Sequence, residues 1–213
     1  MEKNEVNVDH SDHDRERYTK EKRAQFIRVL FSKRATRTLA KVWKFWNIDF
    51  EKLWNLWKRW MILDIDECVA PHHWRILPEN LEKIKQLKEK WWKIIVFSNM
   101  KKSDRYEELE LLWIEVLASE HPKPDTRWFE ECLEILNLSS EQTIMVWDNF
   151  LTDWWALNVW EEWIDFVKVN PIKSKLEIKL PRNKKDAKKI LHRAWQVVSR
   201  KIANIISDIR HWK

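Results

Sequence analysis

Two acids in this sequence stand where side chains could do chemistry: Asp64 and Asp66, two residues apart at the end of an apolar run over residues 61–65. A strand alternates its side chains. A pair at i and i+2 therefore faces one site if the strand continues through it, and diverges if the chain turns into a loop. Paired carboxylates serve nucleophilic and general acid/base work, but alone such a pair is equally the acidic start of an ordinary loop. Its weight comes from what the later apolar runs carry. The run at 94–97 ends in Ser98-Asn99, the run at 115–118 leads to Lys123 within His-Pro-Lys-Pro-Asp, and the run at 143–146 ends in Trp147-Asp148, with Thr152-Asp153 close behind. Four successive strand candidates thus each deliver a polar or charged residue at the carboxyl end.

The segments between these runs must hold them in register. A fifth run lies at 166–169, and helical patterns fall at 78–90, 103–112, 126–136 and 152–159, with Pro78 suited to a first helical turn. The alternation predicts an α/β fold: a doubly wound, mainly parallel sheet with helices on both faces. In such sheets ligands bind beyond the carboxyl ends of the strands, where the polar residues fall.

The composition contains an anomaly. The chain has no glycine and 17 tryptophans among 213 residues. An average chain of this length carries about 15 glycines, at about 7%. Trp74, Trp91, Trp113 and Trp128 lie at expected turns or element ends, and Trp154-Trp155 follow an acidic loop. Those are places that ask for glycine. Most of these tryptophans read as written glycines, through UGA codons translated as Trp or through a blanket substitution. In the Trp91-Trp92 pair one is left open as an authentic tryptophan.

The ordered set of acids, hydroxyl and lysine resembles the haloacid-dehalogenase phosphatase superfamily, whose pattern is D-x-D-x-[TV], a Ser/Thr, a Lys and an acidic G-D-x(3,4)-D motif. Over residues 47–172 the finer details are similar to the YqeG-type branch of subfamily IIIA, which includes phosphatidylglycerophosphate phosphatases. They are Asn47-Ile48-Asp49, Ser98-Asn99 with Arg105 after it, Lys123-Pro124, Asp148-Asn149-Phe150-Leu151-Thr152-Asp153 and Val169-Asn170-Pro171-Ile172. The resemblance implies a Mg²⁺-dependent phosphomonoester hydrolase. Asp64 would form an aspartyl-phosphate, and Asp66 would protonate the leaving oxygen and then activate water. Asp64, Asp148 and the backbone carbonyl of Asp66 would hold the Mg²⁺, a hard cation that prefers oxygen ligands, with Asp153 supporting them. Ser98 and the Asn99 amide would bind the phosphoryl oxygens, and Lys123 would offset their charge. The sequence departs from the pattern at Trp147 and Trp154, where that branch has Gly, and at Glu67 and Cys68, where it usually has Asn and Thr. Cys68 is expected to be a small buried residue. His72 and His73 either touch substrate or form an exposed loop pair. The gaps between Asp66, Ser98 and Lys123 hold no separate cap domain, so a capless, open site is expected.

Outside that domain the chain divides into a disordered leader at 1–19, a basic amphipathic helical segment at 20–46 and a basic amphipathic helix at 173–213. From Arg182 to Lys213 there are ten Lys/Arg and two Asp. The last helix packs on the domain or on its own copy, or lies on an anionic membrane surface; nucleic acid is the least favoured partner. Two cysteines give no disulfide framework or zinc pattern, and no run approaches the roughly 18 apolar residues of a membrane span. A cytoplasmic location is expected, with peripheral membrane association as its extension. Oligomeric state is not legible.

Overall fold

Short runs of aliphatic and β-branched residues, bounded by turns, form the strands of a computed structural model. It describes residues 38–71, 74–98, 104–117, 127–137, 139–149 and 164–172, and within the last segment 191, 194–195, 197–199, 201–206 and 209. The strands are β1 (Thr38–Val42), β2 (Trp60–Asp64), β3 (Lys93–Phe97), β4 (Glu115–Leu117), β5 (Thr143–Trp147) and β6 (Asp165–Val169). They join in one sheet of order β1-β6-β5-β2-β3-β4, with every pairing parallel. Chain order reverses between β2 and β5, the switch point at which such sheets open a crevice.

Alternation along the strands divides the core in two. Met61, Leu63, Ile94, Val96, Ile144, Val146 and Val167 face one side, where they pack with Phe45, Leu53, Ile84 and Leu87. Ile62, Ile95, Phe97, Met145, Trp147 and Phe166 face the other, with Trp128, Cys132 and Ala203. Helices α1 (Phe50–Asn55) and α2 (Pro78–Glu89) supply the first layer, and α4 (Arg127–Leu136) supplies part of the second. A short α3 (Glu107–Glu110) follows a 3-10 turn at Asp104–Tyr106. The doubly wound α/β expectation holds, and among the described residues the sheet is wholly parallel.

One segment differs from expectation. The basic helical segment read over 20–46 contains β1, an edge strand paired with β6. Edge strands expose one flank and tolerate lysines, so the Thr-Leu-Ala-Lys-Val alternation carries Lys41 without loss of pairing. Of the described residues between 191 and 209, all are helical. The helix expected at 152–159 lies outside the described residues, as does the leader at 1–19.

Three helices end in the same way, which bears directly on the tryptophans. After α1, Trp57 N–H donates to Trp54 C=O and Lys58 N–H to Leu53 C=O; after α2, Trp91 donates to Lys88 and Trp92 to Leu87; after α3, Trp113 donates to Glu110 and Ile114 to Leu109. This paired pattern is the Schellman motif, whose C′ residue takes a left-handed conformation and is usually Gly. Trp57, Trp91 and Trp113 have φ of 63°, 65° and 55°. Their indoles point outward, 71%, 86% and 91% exposed. An L-residue in that region costs about 1–2 kcal/mol, a strain that glycine avoids. Trp92, by contrast, is buried against Phe50 and Trp54. Trp128 stacks on Phe97 at 4.2 Å between centroids, and Trp147 meets Phe166 edge to face. Among the described tryptophans, positive φ falls at 57, 91 and 113, and not at 74, 128 or 147. Trp91→Gly is expected to raise unfolding stability by about 1 kcal/mol in urea titrations. Trp92→Ala is expected to lower it by about 3–5 kcal/mol. Equal and opposite results would remove the glycine reading of residue 91.

Candidate active site

The site is built at the carboxyl ends of β2, β3 and β5. Leu63 pairs with Val146 and Asp64 with Phe97. The register thus sets Asp64 level with the end of β3, Ser98 one residue beyond, and Asp148 directly past β5. All three are buried: Asp64 at 8% exposure, Ser98 at 3% and Asp148 at 2%. The Ile65 N–H donates to Asp64 Oδ1 at 3.0 Å, which fixes the carboxylate at the mouth of the switch point. Asn99, Lys123 and Asp153 lie outside the described residues, as do His72 and His73.

Asp66 does not continue the strand. The chain folds into a tight loop in which the N–H groups of Cys68, Val69 and Ala70 turn toward Ile65 C=O, and Glu67 N–H donates to Ala70 C=O at 2.7 Å. Asn80, fully buried on α2, donates from Nδ2 to Val69 C=O at 2.8 Å. Ile172 N–H donates to Glu67 C=O, tying the chain after β6 to the same loop. Glu67 has φ of 63°, a left-handed position that Asn tolerates better than Glu. That is a physical reason for the Asn usual there. Cys68 is fully buried, as expected of a small core residue.

In the sequence Arg105 is legible only as part of a motif, and Tyr106 beside it is not marked at all. Arg105 Nη1 meets Asp66 Oδ1 at 3.0 Å, with side-chain exposures of 6% and 21%. Its guanidinium lies 5.0 Å from the centre of the Tyr106 ring. Burial pushes the Tyr106 phenol above its ordinary value near 10; the neighbouring Ser98 side chain and Arg105 pull it back, while Asp66 and Asp64 add to the rise. Two further residues were not legible as neighbours of the site. Lys168 on β6 is buried with its Nζ 5.8 Å from the centre of the Trp147 ring. Asn204, in the C-terminal helix, donates from Nδ2 to Asp148 C=O at 3.5 Å.

Among the described residues no three His, Cys, Asp or Glu side chains form a ready cation cage. What Asp64 and Asp148 offer is two buried carboxylates on adjoining strand ends, an oxygen-only set that suits a hard cation completed by a backbone carbonyl, water and substrate. The residues present fit Mg²⁺ in that sense.

The family model described as mitochondrial PGP phosphatase matches residues 21–167, more than half of the chain. The chain belongs to this family. The membership agrees with the haloacid-dehalogenase resemblance carried by the motifs, and the family is one of phosphatases. No curated protein matches the chain. Solved structures similar to it include a cobalt-bound deoxy-D-mannose-octulosonate 8-phosphate phosphatase from Haemophilus influenzae, at 15% identity and TM-score 0.40, covering 47% of this chain and 63% of that one. Another is the 3-deoxy-D-manno-octulosonate 8-phosphate phosphatase from Moraxella catarrhalis in complex with magnesium, phosphate and KDO, at 9% identity, TM-score 0.42 and coverages of 55% and 80%. A third is a haloacid-dehalogenase subfamily III A hydrolase from Legionella pneumophila, at 13%, 0.39, 51% and 68%. The chain spans 63% and 65% of the first two octulosonate phosphatases it matches, those from Haemophilus influenzae and Vibrio cholerae.

The raised phenol makes stability depend on pH in one direction. Below about pH 10 Tyr106 is neutral folded and unfolded; above it the unfolded chain ionises first, so stability is lost as pH rises through the higher folded value. Tyr106→Phe is expected to flatten this alkaline loss in urea titrations taken across that range. An unchanged slope would show that Tyr106 is not the group responsible.

Proposed function

We propose that this chain is a Mg²⁺-dependent phosphomonoester hydrolase that works through an aspartyl-phosphate on Asp64, with phosphatidylglycerophosphate as its substrate. The observation that carries the reading is the burial of Asp64 at the end of β2, between Ser98 after β3 and Asp148 after β5. Asp64 Oδ is the nucleophile, held in place by the Ile65 amide. Ser98 binds a phosphoryl oxygen through its hydroxyl. Asp66 gives a proton to the leaving oxygen and takes one from the water that releases phosphate. Asp64, Asp148 and the carbonyl of Asp66 hold Mg²⁺, which when bound offsets the negative charge of the phosphoryl group. Asn99, Lys123 and Asp153 take the roles their motifs imply: an amide to the phosphoryl oxygens, a balancing cation and support for the metal ligands.

A lipid substrate is supported by the helix beside Asp148. Ser199 and Ala203 face the domain, whereas Leu191, Trp195, Val198, Ile202, Ile205 and Ile209 recur at spacings of three and four and are exposed. With ten Lys/Arg against two Asp in residues 182–213, two copies of this segment repel each other, and an anionic lipid surface attracts it. The rival reading is a protein that uses this helix on a membrane or RNA and does no chemistry.

Phosphate release is measured with Mg²⁺ and with EDTA, from phosphatidylglycerophosphate in anionic vesicles and from 4-nitrophenyl phosphate in solution. The full chain is used as written and with glycine at residues 57, 91 and 113. Asp64→Asn is expected to reduce both activities to background. Ile202→Glu with Ile205→Glu is expected to reduce only the vesicle activity. Folded protein that releases no phosphate, or an Asp64→Asn protein as active as its parent, contradicts the enzyme reading and favours the rival.

A further inference from the structure

The loop after β2 fixes the backbone of Asp66 but leaves its side chain to be aimed. Glu67 turns the chain through a positive φ, Asp66 and Ala70 form an isolated bridge, and the Asp66 side chain remains 21% exposed. A short side chain on a turn has several rotamers open to it unless a partner selects one. Arg105 is one such partner, and it comes from a different element, the 3-10 turn at Asp104–Tyr106, 39 residues along the chain. Of the two, the guanidinium is the more enclosed: its side chain is 6% exposed and rests beside Tyr106, which is fully buried. An arginine held this way presents its N–H donors in a fixed planar fork, so it dictates where the carboxylate sits.

We propose that Arg105 is a positioning residue that acts through Asp66, engaging Oδ1 so that Oδ2 is presented to the leaving-group side of the phosphoryl site. The inference rests on the reading of Asp66 as acid and base and adds to it the group that sets its aim. In the first step the phosphoryl group passes from the ester oxygen to Asp64, the phosphorus–ester bond breaks, and the leaving oxygen takes the proton from Asp66. In the second, water attacks phosphorus and gives its proton to Asp66, the bond to Asp64 breaks, and inorganic phosphate leaves with Asp64 restored. Both proton transfers need Asp66 in place. The bond-making to Asp64 in the first step does not, when the leaving oxygen is too weakly basic to need a proton.

That difference supplies the test. The full chain, in whichever background hydrolyses phosphate esters, is compared with Arg105→Met and Arg105→Lys. The esters are an alkyl phosphate, glycerol 3-phosphate, and 2,4-dinitrophenyl phosphate. Arg105→Met is expected to lose kcat on the alkyl ester on the order of 100-fold with KM little changed, the scale of a misplaced catalytic group. On the dinitrophenyl ester it is expected to give a burst of one dinitrophenolate per site followed by slow turnover, and Arg105→Lys to recover part of the alkyl activity. A folded Arg105→Met protein that loses the burst along with turnover overturns the proposal, because Arg105 then acts on the phosphoryl group itself. Unchanged kcat on both esters overturns it as well. If Arg105→Met does not fold, Arg105→Lys decides: slowed turnover of the dinitrophenyl ester with the burst retained supports the proposal, and loss of the burst along with turnover rejects it. A burst that survives Asp64→Asn counts against the nucleophile reading instead, so the two failures are distinguishable.

Discussion

Asp64 and Asp148 are two carboxylates taken out of water on adjoining parallel strands, and much of the molecule is organised around keeping them there. Like charges brought close together out of water repel each other, the more so the lower the local dielectric. Folding them side by side is tolerable when a cation or a proton offsets the repulsion. The sheet order supplies the place: β2 and β5 are neighbours from which the chain winds outward in opposite directions, so their carboxyl ends open on a crevice rather than on a connecting loop. Arg105 belongs to the same charge balance. It sets a buried positive charge beside Asp66, against the acids of the site.

The surroundings make this arrangement rigid. The loop from Ile65 to Ala70 is held by its own turn hydrogen bonds, by Asn80 on α2 and by Ile172 after β6, so three parts of the chain converge behind Asp66. At the opposite end of the strands, Lys58 is buried and pairs with Asp165 at 2.8 Å, while donating to the carbonyls of Glu141 and Thr143. This fixes the starts of β5 and β6 against the chain entering β2. The register that sets Asp64 level with Phe97, one residue short of both Ser98 and Asp148, is thus pinned at both ends.

Central strands of a parallel sheet are apolar on both faces, which is why β2, β3 and β5 could be read from sequence to within a residue or two. Edge strand β1 has no such run, and its lysine and basic neighbours read as a helix face. The Asp64, Ser98 and Asp148 positions are legible because each ends or immediately follows a strand. Arg105 was visible as a motif residue, but its partner was not, since no periodicity links it to Asp66. Periodicity likewise gave the C-terminal helix without saying that Ser199 and Ala203 face inward and Asn204 reaches Asp148. The tryptophans show the same division. Composition flagged them as a class, and only backbone geometry separates Trp57, Trp91 and Trp113, which occupy left-handed helix ends, from Trp92, Trp128 and Trp147, which fill the core.

The most direct test of this account is to trap the covalent intermediate. The protein is mixed with Mg²⁺ and a radiolabelled phosphate ester, quenched in acid within the first turnover and digested, and the labelled peptide is sequenced by mass spectrometry. The account predicts one phosphoryl group on the peptide containing Asp64, located on that aspartate. Label on Ser98 or Cys68, or phosphate released with no labelled protein at any time, would contradict it.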